Sequence, residues 1–225
     1  MFDILRATST MMTALANGAR EIVPVSEIEE ALAVRRSRPE VILAGERNGL
    51  RIGADQTGGV EFDLGNSPRE FSVENVSGKT IIMTTTNGTR ALRACTAART
   101  TLIGSFLGLR AIANWITAAP PRNLLLVCAG TLDQAAYEDA LAAGGLCELI
   151  CPDDAGGTVS DSAQIARQLY RAAQEDLFQA AKYGRNARRL LANPELRDDV
   201  AICLRRDVFG FLAGLSKDGA VRRLS

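Results

Sequence analysis

The chain has 225 residues, enough to bury a substantial core, and its 47% hydrophobic and 23% charged content is ordinary for a globular protein. Its 26 basic and 26 acidic residues cancel, so no overall charge attracts nucleic acid or an anionic membrane surface. The absence of histidine excludes a Ser-His-Asp triad, a phosphohistidine intermediate and imidazole zinc ligands. Proton transfer must fall to carboxylates, Lys, Tyr or water, and a metal would take oxygen ligands, which favours Mg²⁺ or Mn²⁺.

The apolar segments and the cysteines predict a cytoplasmic protein. The longest apolar stretches, such as residues 124–129, are too short to cross a bilayer, and no signal-peptide pattern opens the chain. Five cysteines without a Cys-x-x-Cys motif, mostly within apolar segments, are typical of reduced core thiols. Cys128 ends an apolar run, but a catalytic role is disfavoured because no histidine can activate its thiol.

Apolar runs alternate with segments of helical period along the first 130 residues. Periodicity predicts, in chain order, a helix over residues 10–18, a strand over 21–25, a helix after a capping box at Ser26 and Glu29, a strand over 41–44, an extended polar motif over 62–68, a strand over 79–83, a helix over 88–97, a strand over 101–103, a helix over 107–117 and the most apolar strand over 123–129. This alternation is typical of βαβ units and a largely parallel sheet.

The composition becomes more helical after residue 130. The predicted elements there are a helix over 135–150 interrupted at Gly144-Gly145, a loop over 152–157, helical spacing from 165 to 182, a helix capped by Asn193-Pro194 that reaches 204, and a strand over 208–215 that pairs with 220–224 through a turn at Asp218-Gly219. We therefore predict one domain over 1–225, with a more helical part from about 135 to 205. The predicted fold is three-layer α/β/α around a mainly parallel or mixed sheet.

Five polar clusters follow apolar runs: residues 3–10, 45–49, 63–68, 84–90 and 128–131. Ligands of open parallel sheets bind beyond the carboxyl ends of the strands, where loops converge and helix N-termini present free N–H groups. We therefore expect the five clusters to form one pocket. Its arginines and hydroxyls favour a small polyanionic phosphorylated substrate as the partner, with neither nucleic acid nor a membrane; homo-oligomerisation stays open.

Five acidic residues suit metal or proton chemistry. Asp3, Glu46 and the pair Glu138-Asp139 are the metal candidates, and Asp63 is the expected acid or base. Asp3, Arg6 and Asp63 are the predicted catalytic residues. The predicted substrate-binding residues are Arg6, Thr8, Ser9, Thr10, Arg47, Asn48, Asn66, Ser67, Thr86, Asn87, Gly88, Thr89 and Arg90. A carboxylic acid as proton donor predicts higher activity at mildly acidic pH.

Each of these groups also has a structural interpretation. Thr86 and Asn87 could cap a helix, and Ser67 with Glu70 fits a capping box with Pro68 at the first helical position. Glu46-Arg47 could be a surface pair. Glu138-Asp139 could lie on a solvated helix face, where charged pairs usually occur.

The ordered motifs resemble those of the 2-phosphosulfolactate phosphatase family. They are Asp3-x-x-Arg6-Ala-Thr-Ser-Thr10, residues 16–19, Gly45-Glu-Arg-Asn-Gly49, residues 62–70, Thr85-Thr-Asn-Gly-Thr89, residues 104–106, Cys128-Ala-Gly130 and Glu138-Asp139. The resemblance implies a Mg²⁺-dependent phosphatase that converts 2-phospho-3-sulfolactate to 3-sulfolactate, a step toward coenzyme M. That substrate carries phosphate, sulfonate and carboxylate groups.

The start of the chain departs from the family pattern. Family members usually have a full apolar strand before the Asp-x-x-Arg motif, whereas only Met1 and Phe2 precede Asp3 here. A strand needs about five residues, so we expect either that Asp3 is poorly held or that the true start lies upstream. If the chain begins at Met1, we expect weak or absent activity. Two other functions stay open: a phosphatase acting on another small phosphorylated hydroxy acid, and a non-catalytic anion-binding protein.

Overall fold

The computed structural model of the protein describes residues 1–132, 134–151 and 159–224. Its helices are α1 (Ala7–Ala16), α2 (Ile28–Ser37), α3 (Ala54–Thr57), α4 (Val73–Val76), α5 (Gly88–Ala94), α6 (Leu109–Ala118), α7 (Tyr137–Ile150), α8 (Asp161–Ala173), α9 (Leu177–Ala181), α10 (Arg185–Leu191) and α11 (Arg197–Cys203). Its strands are β1 (Glu21–Pro24), β2 (Ile42–Arg47), β3 (Leu50–Arg51), β4 (Thr80–Thr84), β5 (Thr101–Leu102), β6 (Leu212–Leu215) and β7 (Val221–Leu224). None of these helices is long and apolar enough to cross a membrane.

The strands form one mixed sheet in the order β3-β2-β4-β1-β7-β6-β5. Strands β2, β4 and β1 run parallel, and the remaining pairs are antiparallel. The hairpin of β6 and β7, which the turn at Asp218-Gly219 predicts, lies between β1 and β5, with Ile22 opposite Val221 and Thr101 opposite Leu215. The antiparallel share of the sheet comes mostly from this hairpin.

Helices cover both faces of the parallel strands, as alternation of side chains requires. Ile81 and Met83 of β4 pack in one core with Met11 of α1. Ile82, between them, points to the opposite face and packs in a second core with Ala31 of α2. The predicted three-layer α/β fold with a mixed sheet is confirmed.

Residues 1–3 lie in the sheet although they are too few for a full strand. Phe2 forms parallel bridges to Gly104 on one side and to Cys128 on the other. It is 1% exposed, and its N–H donates a 2.8 Å hydrogen bond to the carbonyl of Val127. The expectation that Asp3 is poorly held is therefore wrong, because the residue before it is fixed on both sides.

The segment 123–129 differs from its predicted strand. Within the described residues it pairs with the sheet only around Cys128, and Leu124 and Leu125 are 46% and 81% exposed. The reason is the length of its partner, because residues 1–3 offer too few backbone groups to pair with the whole run. Strong apolar character therefore did not produce a full strand here.

Two predicted helix starts are also wrong. The Ser26 hydroxyl accepts a hydrogen bond from Arg93 at 2.9 Å and does not cap α2, whose first flanking residue is Glu27. Asn193-Pro194 precedes α11 by a turn, because the Asn193 side chain bonds the N–H of Glu195 at 2.9 Å and holds a local turn instead. The loop predicted over 152–157 lies outside the described residues.

Helix α7 runs without a break through Gly144-Gly145, contrary to the prediction. The two glycines let α8 pack very close: a β-carbon on Gly144 would overlap the backbone carbonyl oxygen of Ala166. Helices α6, α7, α9, α10 and α11 share one hydrophobic core with Phe2 and Ile4. The helical part is thus packed directly against the start of the chain.

Replacing Gly144 with alanine is expected to lower the free energy of unfolding by about 1–3 kcal/mol or more, because backbone must move to admit the methyl group. Gly210→Ala is the matched control, since a β-carbon there meets no atom within 4 Å. Urea denaturation of both variants would measure the difference. Equal stability of the two variants would show that α7 and α8 are not packed this closely.

Candidate functional site

All five polar clusters contribute to a single pocket, as predicted. The described lining includes Asp3 and Arg6, Glu46 with Asn48 and Gly49, Asn66, the run Thr85-Thr86-Asn87, and Gly130 with Thr131 and Leu132. Leu5, and Asn186 and Arg189 from α10, complete that lining. The clusters meet because strands β2 and β4 end side by side and residues 1–3 run parallel to the segments that end at Gly104 and Cys128.

Asp3 lies deep in the protein, with part of its surface open to the pocket. Its Oδ1 accepts a 3.3 Å hydrogen bond from the N–H of Ala7, and Gly88 is close enough that a β-carbon there would overlap Oδ2. Burial raises the pKa of Asp3 to about 7, and the carboxylates of Glu46 and Glu138 contribute to the shift. Near neutral pH the Asp3 side chain can therefore be either protonated or ionised.

Glu46 closes one wall of the pocket through two backbone hydrogen bonds. Its Oε2 accepts from the N–H of Gly49 at 2.6 Å, and its Oε1 accepts from the N–H of Thr86 at 2.8 Å. The side chain is 6% exposed, so the interpretation of Glu46-Arg47 as a surface pair is wrong. Glu46 joins the second and fourth polar clusters and has no oxygen without a protein partner.

Glu138 and Asp139 are both buried, so the interpretation as a solvated helix face is wrong. Asp139 accepts from the N–H of Ile4 at 2.8 Å and from that of Gly130 at 3.1 Å, which ties α7 to the start of the chain. Burial raises the pKa of Asp139 well above its usual value, with Asp3 and Glu138 adding to the effect. Burial also raises the pKa of Glu138, whose Oε2 has no hydrogen-bond partner within the described part of the chain.

Arg6 is held by a residue that the sequence analysis missed. Its Nη1 donates to Oδ2 of Asp199 at 2.7 Å, and its Nη2 donates to the carbonyl of Gly49 at 2.6 Å. Asp199 is fully buried and also accepts from Ser67 and Arg69 at 2.7 and 2.9 Å. Acidic residues are common at the start of a helix, so the sequence Asp198-Asp199 does not indicate that one of the two is buried.

The hydroxyls of the first cluster bond to backbone and do not line the pocket. Thr8 donates to the carbonyl of Asp3 at 2.8 Å, Ser9 to that of Ile4 at 2.9 Å, and Thr10 to that of Asn66 at 2.9 Å. These bonds shape the turn that presents Asp3 and Arg6. The geometry gives these hydroxyls positioning roles, and their predicted contact with substrate stays a prediction.

Four predicted side chains, those of Asp63, Arg47, Arg90 and Ser67, lie outside the pocket, and Gly88, Thr89, Glu138 and Asp139 are also absent from its described lining. Asp63 accepts hydrogen bonds from Arg35 and from the N–H of Leu43, and its side chain is 37% exposed. Arg47 bonds the carbonyl of Glu46 and the hydroxyl of Thr84. Arg90 is exposed and Ser67 bonds Asp199, so the structure does not bring any of the four to Asp3.

Residues 85–89 contribute both to the start of α5 and to the pocket. Thr85 and Thr89 bond each other's backbone N–H at 3.1 Å, which closes the first turn of α5 and leaves no capping role for Thr86 or Asn87. The Thr86 hydroxyl and the Asn66 side-chain oxygen are buried and have no hydrogen-bond partner among the described residues. Both residues line the pocket, so two buried polar atoms beside it are left unpaired.

The family model described as 2-phosphosulpholactate phosphatase matches residues 1–218. This chain belongs to the 2-phosphosulpholactate phosphatase family. The predicted family and its class, the phosphoric monoester hydrolases, are thereby confirmed. The match spans every motif that lines the pocket.

Three relatives named "probable 2-phosphosulfolactate phosphatase" illustrate the similarity. The Caldanaerobacter subterraneus subsp. tengcongensis protein is 39% identical over 226 residues, covering 99% of this chain and 88% of its own length. The Thermotoga maritima protein is 36% identical over 209 residues, covering 93% and 85%. The Clostridium acetobutylicum protein is 36% identical over 209 residues, covering 92% and 85%.

The donor atoms at the pocket suit magnesium. Asp3, which lines the pocket, and Glu138, behind it, each have a carboxylate oxygen with no donor among the described residues, whereas Glu46 and Asp139 give both oxygens to backbone N–H groups. Among the described residues, no group of three or more Asp, Glu or Cys side chains could hold a metal ion by itself. Mg²⁺ in phosphoryl-transfer sites needs only one or two carboxylates beside phosphate oxygens and water, and Asp3 supplies one at the pocket, whereas Glu138 is absent from the described lining.

A cysteine mechanism does not fit this pocket. Cys128 is solvent-exposed, yet desolvation by its surroundings, with Asp139 adding to the effect, raises the pKa of its thiol, so the thiol stays protonated at neutral pH. Cys128 is also absent from the described lining of the pocket. Cys128 instead pairs with Phe2 in the sheet, which is a structural role.

Proposed function

We propose that the protein hydrolyses the phosphate ester of 2-phospho-3-sulfolactate to 3-sulfolactate and phosphate, with Mg²⁺ as its cofactor. The observation that carries the proposal is the pocket, where the five polar motifs of this family meet around Asp3 and Arg6. The names of the relatives support the substrate. A cytoplasmic location and a place in coenzyme M formation stay predictions.

The pocket offers hydrogen-bond donors for a phosphoryl group beside its acidic wall. Arg6 is fixed by Asp199 and Gly49, and its guanidinium has further N–H groups to offer a phosphoryl oxygen. The unpartnered hydroxyl of Thr86 adds a neutral donor. These groups would hold the phosphoryl group before and during transfer, so that little reorganisation is needed in the transition state.

Asp3 has the strongest case among the acidic residues for a direct part in the reaction. It lines the pocket, its Oδ2 has no hydrogen-bond donor among the described residues, and its pKa is near 7. With Glu138 it would hold Mg²⁺, which offsets the charge of the phosphoryl oxygens and activates water. If a carboxylate attacks phosphorus instead of water, Asp3 is the candidate.

Phosphate release from a panel of esters tests this proposal. The panel contains 2-phosphosulfolactate, 2-phospholactate and 2-phosphoglycerate, each with Mg²⁺ and with EDTA. We expect Mg²⁺-dependent release, fastest from 2-phosphosulfolactate. Faster turnover of another member would assign the enzyme to that hydroxy acid, and ligand-induced thermal stabilisation without turnover would make it a binding protein.

Glu138→Gln tests the magnesium assignment. The amide keeps the hydrogen bond from Asn186 but loses the charge, so the Mg²⁺ concentration for half-maximal activity should rise by roughly tenfold or more. Glu74→Gln is the control, because Glu74 is an exposed glutamate on α4. An unchanged Mg²⁺ requirement in Glu138→Gln would remove Glu138 from the metal site.

A further inference from the structure

Helix α10 forms one side of the pocket, a contribution that the sequence motifs do not reveal. Asn186 is 9% exposed, and its Nδ2 donates to Oε1 of Glu138 and to the hydroxyl of Thr131, both at 2.7 Å. These bonds tie α10 to two of the polar segments. Arg189 lies three residues later on the same face of the helix and also lines the pocket.

Arg189 and Arg6 both lie beside Gly49. The guanidinium carbon of Arg189 is 3.8 Å from the position that a β-carbon on Gly49 would take. The carbonyl of the same glycine accepts the 2.6 Å hydrogen bond from Arg6. A ligand that reaches Arg6 at the base of the pocket therefore passes Arg189 at its rim.

The two arginines differ in what already binds them. Arg6 is buried and ion-paired with Asp199, so much of its charge is balanced within the protein. Arg189 is exposed and has no hydrogen bond or salt bridge with any described residue. Arg47 and Arg90, which the sequence analysis predicted to bind anions, do not line the pocket.

The acidic side chains at the pocket make a cation without a carboxylate partner favourable for binding an anionic substrate. Asp3 and Glu46 line the pocket, and Glu138 and Asp139 lie directly behind it. The only arginines in the described lining are Arg6, already paired, and Arg189. Mg²⁺ at Asp3 would offset charge on the phosphoryl group but not at the far end of the substrate, nearer the rim.

We propose that Arg189 binds the second anionic group of the substrate, the sulfonate or the carboxylate, and so sets the preference for phosphate esters that carry one. This inference rests on the proposed function. Both groups present oxygens that match the guanidinium fork, so the experiment must distinguish them. The phosphoryl group then lies at Asp3 and Arg6.

The test compares kcat/KM for three esters. They are 2-phosphosulfolactate, 2-phospholactate, which lacks the sulfonate, and O-phosphoisethionate, which lacks the carboxylate. In Arg189→Ala, the preference for 2-phosphosulfolactate over one of the two truncated esters should fall by roughly tenfold or more, mostly through KM. The truncated ester concerned identifies the group that Arg189 binds, and Arg189→Lys should recover part of the preference.

Arg188→Ala is the matched control, because Arg188 is exposed on the same helix and absent from the described lining. Preferences equal to wild type in Arg189→Ala, or an equal loss in Arg188→Ala, would overturn the inference. If wild type hydrolyses none of the esters, the proposed function fails and calorimetry with 3-sulfolactate decides the inference. Tenfold weaker binding by Arg189→Ala would support it, whereas equal binding, or no binding to wild type, would overturn it.

Discussion

Asp3→Asn is expected to lower kcat by roughly 10²–10⁴-fold while making the metal-free protein more stable at pH 8. Activity falls because Asn cannot supply the anionic oxygen that Asp3 presents to the pocket. Stability rises because Asp3 has a pKa of about 7 in the folded protein, against 3.8 for an ordinary aspartate. The folded protein binds this proton more tightly, so its free energy of unfolding falls as pH rises from about 4 through 7.

The stability difference therefore has a defined pH dependence. Below about pH 4 the wild-type carboxyl is protonated in both states and Asp3→Asn should have little advantage. Above about pH 8 the advantage should reach its maximum, on the order of 2–4 kcal/mol without Mg²⁺. Urea denaturation at pH 5, 6.5 and 8 in EDTA measures it, and Mg²⁺ should stabilise wild type but not the variant.

Asp63→Asn tests whether Asp63, which the sequence predicted to be the acid or base, takes part in catalysis as Asp3 is proposed to do. Asp63 bonds Arg35 and the N–H of Leu43 outside the pocket, so its substitution should leave kcat within a few-fold of wild type. A loss of activity in Asp63→Asn comparable to that in Asp3→Asn would return Asp63 to the catalytic residues. Retention of wild-type kcat in Asp3→Asn would contradict the role proposed for Asp3.

Asp199→Ala is expected to lower the free energy of unfolding by about 3–5 kcal/mol. The substitution removes the carboxylate that accepts from Arg6, Ser67 and Arg69. Arg6 is 3% exposed and would keep only its bond to the carbonyl of Gly49, so a guanidinium would stay buried without an anion. Release of Arg6 from its fixed position should also reduce phosphatase activity.

Asp198→Ala is the adjacent control on α11. Asp198 is 65% exposed and lies 3.7 Å from Arg69, a surface pair worth less than about 1 kcal/mol. Chemical denaturation of both variants compares a buried and an exposed carboxylate on the same helix. A similar small loss in both would show that Asp199 does not balance the charge of Arg6.

Much of the fold and of the site could be predicted from local pattern. The alternation along β1, β2 and β4 reports which side chains face each helix layer, because side chains of a strand alternate between the two faces of the sheet. The ends of parallel strands lie at one edge, so the polar clusters after them meet in one pocket. The secondary-structure predictions were wrong where a segment depends on a distant neighbour. Residues 123–129, for example, do not form a full strand because the adjacent segment 1–3 is too short to pair with all of them.

Composition and motif order, which belong to the sequence alone, restrict the chemistry to carboxylates and arginines and identify the phosphatase family. Tertiary structure decided which of those groups face the ligand. The hydroxyls of residues 8–10 donate hydrogen bonds to backbone carbonyls, and the Asp63 carboxylate accepts a hydrogen bond from Arg35. Arg6 found its partner Asp199 193 positions away. Periodicity reports burial within one element, whereas pairing between distant elements depends on how they pack, so Asp199, Asn186 and Arg189 could be identified only in the folded chain.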